Sequence, residues 1–305
     1  MNITGLHHVT ALAGNPQRNL HFYTEVLGLH LVKRTINFDD PGSYHFYFGD
    51  HTGTPGSILT FFPYPEARRG VRGTGEVAAT AFTIPQGSEK HWRQHLTASG
   101  VAVGEPETRF GDPLLRFTDP DGLPLELVAA GAAERHPYAI QGLHSVAAAL
   151  ADATPTARLL TEVFGYTLTQ HTEGRQRYTA PGAAPVGKHL DLLTHPSPRG
   201  SRAGAGTVHH IAFRVADAPA QAAWRAKLTA LGFAVSPVRD RTYFESIYFR
   251  EPGGVLFELA TDGPGFAVDE SAATLGHRLC LPAWLEPQRP QVEALLPELP
   301  TPATV

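Results

Sequence analysis

The sequence predicts an α+β chain built from four βαβββ units. Three observations carry that expectation. The chain repeats itself, each repeat passes from an alternating strand through a helix to short β-rich runs, and segments rich in Pro, Gly and Arg separate the repeats.

The repeats align without gaps. GLHHVTALAGNPQRNLHFYTEVLG, from Gly5, lies over GLHSVAAALADATPTARLLTEVFG, from Gly142, at an offset of 137. WRQHLTASGVAVGEP, from Trp92, lies over WRAKLTALGFAVSP, from Trp224, at an offset of 132. The second offset also sets FTDPDGLPLEL, from Phe117, over FREPGGVLFEL, from Phe249. Four units of about 60 residues therefore begin near residues 5, 77, 140 and 207. PYPEARRGVRGTG, GAAERHPYAIQ and PSPRGSRAGAG read as exposed linkers, and the arginines of EARRGVRG as solvated. The expected division is 1–135 and 136–265, two units each, then a tail over 266–305 with a short helix around Gln291–Leu296.

In the first unit LHHVTALA alternates as a strand does. Asn15-Pro16 supplies an N-cap and an N1 proline, Leu20, Tyr23 and Leu27 share one helical face, and Gly28 ends the helix. YHFYFGD and SILTFF then read as strands. In the fourth unit Asp217 opens a helix carrying Trp224, Leu228 and Leu231, Gly232 closes it, and YFESIYF and VLFELA follow as strands.

Composition narrows the classes. Gly 30 and Pro 26 of 305 residues make roughly 18%, above an average near 12% but below the range of disordered chains. A net charge of −4 gives no basic field for nucleic acid or an anionic membrane. The single cysteine, Cys280, excludes an intramolecular disulfide and fits a reducing compartment. MNITGLHHVT has neither a basic nor an apolar leader region, and no window holds about 18 uninterrupted apolar residues. The expectation is a cytoplasmic globular protein. No GxSxG, phosphate-binding loop or dinucleotide fingerprint occurs.

Four βαβββ units with His on the first strand and Glu on the last, after a PGG turn, resemble the vicinal oxygen chelate superfamily. That superfamily holds extradiol dioxygenases, glyoxalase I and antibiotic-binding resistance proteins. GLHHVT, FYTEVLGLHLVKRT, GTPGSILTFFP, TVHHIAF, YFESIYFREPGGVLFE and LGHRLCLP resemble its ring-cleaving hydroquinone dioxygenase branch in particular, almost end to end. The resemblance implies paired units forming two cup-shaped sheets, with a metal on a concave face.

Which residues could hold that metal follows from strand parity. Among 16 histidines there are two HH pairs, His7-His8 and His209-His210, and adjacent strand residues face opposite ways. His8, Thr10 and Leu12 share one face, as do His210, Ala212 and Arg214. The more polar, cavity-facing side selects His8 and His210. Val255, Phe257 and Leu259 form an apolar outer face, which leaves Glu258 pointing inward, where a lone carboxylate is expensive unless paired or metal-bound. Two His and one carboxylate suit non-haem Fe(II) with open positions. The resemblance puts the ligands at these same three residues.

The repeat supplies an internal control. Offset 137 carries His8 onto Ser145, with His144 over His7; offset 132 carries Glu258 onto Glu126 and His210 onto Ala78, or Ala79 with one gap. The middle cup should thus be metal-free, with Glu126 held by an arginine such as Arg116, and Asp191 structural. In SILTFF, Phe61 (or Thr60 with a one-residue shift) stands where the fourth ligand of glyoxalase I would sit. Asp119-Pro120-Asp121-Gly122 reads as a turn, not a calcium loop.

In the hydroquinone dioxygenases that this chain resembles, an arginine, a tyrosine, the histidine beside each ligand histidine and a threonine lie near the substrate. These map to Arg241, Tyr248, His7, His209 and Thr10. Tyr248 and His209 could position a phenolic oxygen and Arg241 could stabilise a phenolate. Parity turns His7 and His209 away from the ligands unless their strands are twisted or bulged. A surface ion pair of Arg241 with Asp240 or Glu245 is the plainer alternative. The implied activity is an extradiol-type, Fe(II)-dependent dioxygenase (Mn(II) a substitute) with O2 as co-substrate. A small hydroquinone-like or catechol-like aromatic is its partner, and a homo-oligomer is left open. The rivals are a glyoxalase-like lyase or isomerase on a thiol adduct and a ligand-sequestering protein.

Overall fold

A computed structural model describes residues 3–132, 136–182, 184–194 and 199–299. The first unit contains β1 (Leu6–Ala13), α1 (Pro16–His21), β2 (His30–Asn37), β3 (Asp40–Gly49) and β4 (Ile58–Pro63). The second contains β5 (Glu76–Pro85), α2 (Glu89–Ala98), β6 (Glu107–Arg109), β7 (Asp112–Thr118) and β8 (Pro124–Gly131). The third contains β9 (Gly142–Leu150), α3 (Thr154–Arg158), β10 (Thr167–Thr172), β11 (Arg175–Thr179) and β12 (His189–Thr194). The fourth contains β13 (Thr207–Val215), α4 (Ala218–Ala230), β14 (Arg239–Asp240), β15 (Phe244–Arg250) and β16 (Leu256–Pro264), and the tail carries α5 (Arg289–Leu295). The expected boundary at residue 135 lies outside the described residues.

Capping follows the sequence. Asn15 accepts a hydrogen bond from the Arg18 amide, and Asp217 accepts one from that of Ala220. The first helix does not stay α-helical to its end: Phe22–Val26 form a π-helical turn, and Leu159–Phe164 do the same in the third unit. Tyr23 thereby reaches Asp119 with its hydroxyl at 3.1 Å. Asp119 also accepts the amides of Asp121 and Leu123, so DPDG is a turn that clasps the first helix. No helix among the described residues is long and apolar enough to cross a membrane.

Each eight-stranded sheet curls into a half-barrel. One, ordered β14-β15-β16-β13-β1-β4-β3-β2, joins the first unit to the fourth; the other, β10-β11-β12-β9-β5-β8-β7-β6, joins the second to the third. The convex faces carry the fully buried aromatic and aliphatic core, including Phe61, Phe213, Trp224, Phe257 and Leu259. Gly5 and Gly142 explain why both GLH repeats begin with glycine. Their φ angles are +140° and +130°, and a Cβ at Gly5 would lie 2.7 Å from the Gly187 carbonyl oxygen. The arginines of EARRGVRG are exposed, as expected, yet the linkers are tied to one another and to the sheets: Val71 pairs with Arg202, and Arg72 donates to the Gly206 carbonyl and pairs with Glu76.

Two bulges recur in both sheets. Leu6 and His8 oppose Phe213 and Ala212, so His7 is an extra residue in β1; Thr10 and Ala11 oppose His210 and Val208, so His209 is extra in β13. In the other sheet the extra residues are His144 and Ala78. This register makes Ala79 the counterpart of His210, Ser145 that of His8 and Glu126 that of Glu258.

The middle cup is cross-linked by ion pairs. Arg109 grips both oxygens of Glu126 at 2.6 and 2.7 Å, and the expected Arg116 adds a longer contact at 3.3 Å. Asp191 is held by Arg175 and Arg177. Burial first, then the nearby Arg177, holds the His144 imidazole down at about 3.

The tail is fastened to β2 by Lys33, which is fully buried and lies 2.5 Å from both Asp269 and Glu270. Cys280 Sγ is 3.8 Å from Lys33 Nζ, yet burial pushes its thiol up to about 12, against nucleophilic use.

Lys33→Met strands Asp269 and Glu270 without their cation and should cost about 3–5 kcal/mol in urea unfolding. A loss below about 0.5 kcal/mol, within the range of surface substitutions, would show that the trio does not fasten the tail. His144 stays neutral in the fold while the unfolded chain takes up a proton below the ordinary value of 6.5. Its contribution is therefore complete above that pH and lost as the pH falls, by about 2 kcal/mol between about pH 7.5 and pH 5. His144→Gln should remove that share of acid sensitivity; equal pH dependence in both proteins would refute it.

Candidate metal centre

Three neighbouring strands at the seam of the first sheet present His8, His210 and Glu258. On β13 and β16, which run parallel, Ala212 pairs with Glu258, two residues beyond His210 on the same face; β1 sets His8 opposite Ala212. All three side chains are buried. Glu258 Oε2 lies 2.8 Å from His210 Nε2 and 3.4 Å from His8 Nε2, and the two ring nitrogens are 3.3 Å apart. Among the described residues only one other cluster, Asp269, Glu270 and Cys280, gathers three such atoms, and there Lys33 supplies the cation.

The donor set fits a divalent cation. Donor atoms about 2.1 Å from an octahedral ion, at right angles, lie about 3.0 Å apart, close to the spacings found here. Glu258 Oε2 is buried, and beyond the two flanking imidazole nitrogens nothing partners it. Its partner oxygen, Oε1, accepts from the Ser246 hydroxyl in a short contact. Burial alone would raise the Glu258 carboxyl; His8 and His210 hold it well below the usual carboxylate range. A charged, buried oxygen whose only partners are two imidazole nitrogens is where a cation lowers the energy.

The bulges decide what His7 and His209 do. Each re-aims the extra residue, so that His7 Nδ1 lies 2.9 Å from His8 Nδ1 and His209 Nδ1 lies 2.8 Å from His210 Nδ1. For Nε2 of His8 and His210 to offer a lone pair, each must carry its proton on Nδ1 and donate it to the neighbouring ring. Parity alone turned these two histidines away; the bulges bring them to the backs of the His8 and His210 rings.

A cavity of about 190 Å³ opens in front of the group, lined by His8, His210, His209, Arg241, Tyr248 and Phe244 from one side. His45, Tyr47, Phe62, Tyr64 and the Asn37–Asp39 turn line the other. Tyr248 stands directly across from Glu258 on β15, and Arg241 Nε donates to its oxygen at 3.3 Å. Burial and the Glu258 charge raise the Tyr248 phenol, so it keeps its proton and can donate it into the cavity. The plainer expectation for Arg241, a pair with Asp240 or Glu245, is corrected: it donates to Asp39 of the first unit at 2.8 Å, because the curl of the sheet brings the β2–β3 turn over β14. Thr10 is fully buried beside the cavity and bonds to Thr60 at 2.8 Å.

The fourth-ligand position goes to Thr60 rather than Phe61. Thr60 pairs with Thr10 on β1 as Glu258 pairs with Ala212 on β13, whereas Phe61 packs into the core against Tyr23. Sequence reasoning did not single out Asp39, His45, Tyr47 or Phe244. The alternation of YHFYFGD puts His45 and Tyr47 on one face, which was the available signal.

The glyoxalase/bleomycin resistance protein/dioxygenase superfamily model matches residues 5–127 and 142–259. "Putative ring-cleaving dioxygenase MhqE" of Bacillus subtilis (strain 168) is 46% identical over 308 residues, covering 98% of this chain and 100% of the relative. "Chlorohydroquinone/hydroquinone 1,2-dioxygenase" of Sphingobium indicum is 36% identical over 300 residues, covering 93% of each. The solved structure "putative dioxygenase from Bacillus subtilis subsp. subtilis str. 168" superposes with a TM-score of 0.93 at 42% identity over 98% of both chains. The chain belongs to the glyoxalase/bleomycin resistance protein/dioxygenase superfamily, as an enzyme of the dioxygenase kind.

Proposed function

We propose that the chain is an Fe(II)-dependent, extradiol-type ring-cleaving dioxygenase, with His8, His210 and Glu258 as metal ligands and a hydroquinone-like aromatic as substrate. The observation that carries this reading is the buried Glu258 oxygen whose only partners are the His8 and His210 imidazoles, two rings that themselves line an aromatic-walled cavity. When bound, such a cation templates an aromatic oxygen and O2 side by side and carries electrons between them. Thr60 at the fourth-ligand position leaves open coordination and disfavours the glyoxalase-like alternative.

The remaining work falls to the chain's own residues. His7 and His209 hold the ligand rings in one tautomer and orientation. Phe244, in ring contact with both His7 and His8, keeps water from that wall. Tyr248 keeps its proton above the reacting oxygens and donates it to one of them; Arg241 fixes Tyr248 and adds positive charge where a phenolate would sit. A hydroquinone offers a metal one oxygen where a catechol offers two, so these contacts replace the lost chelation. The match to the Sphingobium enzyme, whose name specifies hydroquinones, supports that choice of ring.

Anaerobic metal analysis should find about one metal per protomer, with Fe(II) restoring more O2 uptake than Zn²⁺. His8→Ala, His210→Ala and Glu258→Ala should each abolish turnover while the fold is retained; full metal occupancy and turnover in Glu258→Ala would sink the ligand assignment. Arg241→Ala and Tyr248→Phe should keep the metal and lose about 10–100-fold in hydroquinone kcat/KM. A higher kcat/KM for catechols than for every substituted hydroquinone tested would overturn the substrate while leaving the dioxygenase standing.

A further inference from the structure

His45 faces the cavity from β3 and has no part in the arrangement above. Its ring is layered between Tyr47 and Phe62, with centroids 4.0 and 4.2 Å away. Its Nε2 meets the Thr60 hydroxyl at 2.9 Å, and Thr60 meets Thr10 at 2.8 Å. Among the described residues Nδ1 has no hydrogen-bond partner. Burial, with His8 and Arg241 close by, holds the imidazole well below its ordinary value, so it is neutral.

A neutral imidazole has one donor and one acceptor nitrogen, and the hydroxyl pair decides which is which. If Thr60 donates to Nε2, it accepts from Thr10, and Nδ1 is a donor. If Thr60 accepts from Nε2, it donates to Thr10, and Nδ1 is an acceptor. Both arrangements satisfy the buried hydroxyls without creating a charge. Nδ1 can therefore meet a phenol or a phenolate oxygen.

Position selects which oxygen it meets. β3 lies two strands from β1, on the order of 9–10 Å along the sheet at ordinary strand spacing. A ring with one oxygen at His8, His210 and Glu258 can therefore turn its other oxygen toward β3, where His45 lines the same cavity. We infer that His45 is a substrate-contacting, specificity-determining residue whose Nδ1 hydrogen-bonds the ring hydroxyl farther from that group, with Thr60 and Thr10 as positioning residues. The inference rests on the proposed aromatic substrate and deepens it: a para-dihydroxy ring is recognised at both ends.

The test uses the metal-loaded protein under argon, with hydroquinone and phenol as probes and equilibrium affinity as the readout. His45→Phe preserves the ring layering and should weaken hydroquinone about 3–10-fold, while phenol, lacking the second hydroxyl, binds as before. Thr60→Val should lose part of the same discrimination and Thr60→Ser should restore it. Equal weakening of both rings, or of neither, in folded His45→Phe with unchanged metal content overturns the assignment. Should His45→Phe fail to fold, hydroquinone-to-phenol discrimination in Thr60→Val that equals wild type overturns it. A wild type that binds neither ring overturns the aromatic-substrate reading itself, and the role of His45 with it.

Discussion

A buried carboxylate oxygen with no donor to receive is the constraint around which the first sheet is organised. Desolvating Glu258 costs several kcal/mol unless a positive charge or a hydrogen bond compensates. Oε1 has the Ser246 hydroxyl; Oε2 has only two imidazole nitrogens. The middle sheet solves the same problem differently. Its counterpart carboxylate, Glu126, receives two N–H donors from Arg109, and Ser145 and Ala79 stand where the other sheet has histidines. Two cups of one repeated plan thus meet the same carboxylate position differently, one with a guanidinium and one with two imidazoles.

The bulges are what turn a plain strand pairing into a site. A regular β1–β13 ladder would place His7 and His209 on the convex face, among the apolar side chains. One extra residue in each strand brings them behind the His8 and His210 rings instead, and the same irregularity is kept in the middle sheet, where His144 bonds Ser145. The sheet accepts the loss of local pairing in exchange for ring orientation.

Much of this was legible in the residues. Parity picked His8 over His7 and Glu258 between Phe257 and Leu259, because apolar alternation reports the buried face directly. Gapless repeats exposed four units, and the Ser145 counterpart followed by counting. Register irregularity was harder: a one-residue bulge leaves no compositional trace, so Ala78 or Ala79, Phe61 or Thr60, and the aim of His7 and His209 depended on pairing. Contacts between distant units were harder still. Arg241 with Asp39 and Lys33 with Asp269 and Glu270 join residues more than 200 positions apart, and local pattern carries no information about such closures. His45 was hidden for another reason: it lies on an ordinary alternating strand, and its significance comes only from what faces it.

The strand order has a consequence for biosynthesis. Every strand of the middle sheet lies between residues 76 and 194, so that sheet can close while the fourth unit is still being made. β1 cannot: its second neighbour is β13, and Glu258 follows later still. At about 5–20 residues per second, roughly 10–50 s separate the emergence of His8 from that of Glu258. During that interval the nascent first unit carries an unpaired strand edge beside two adjacent histidines, exposed to any chain or ion that meets it before its own partner arrives.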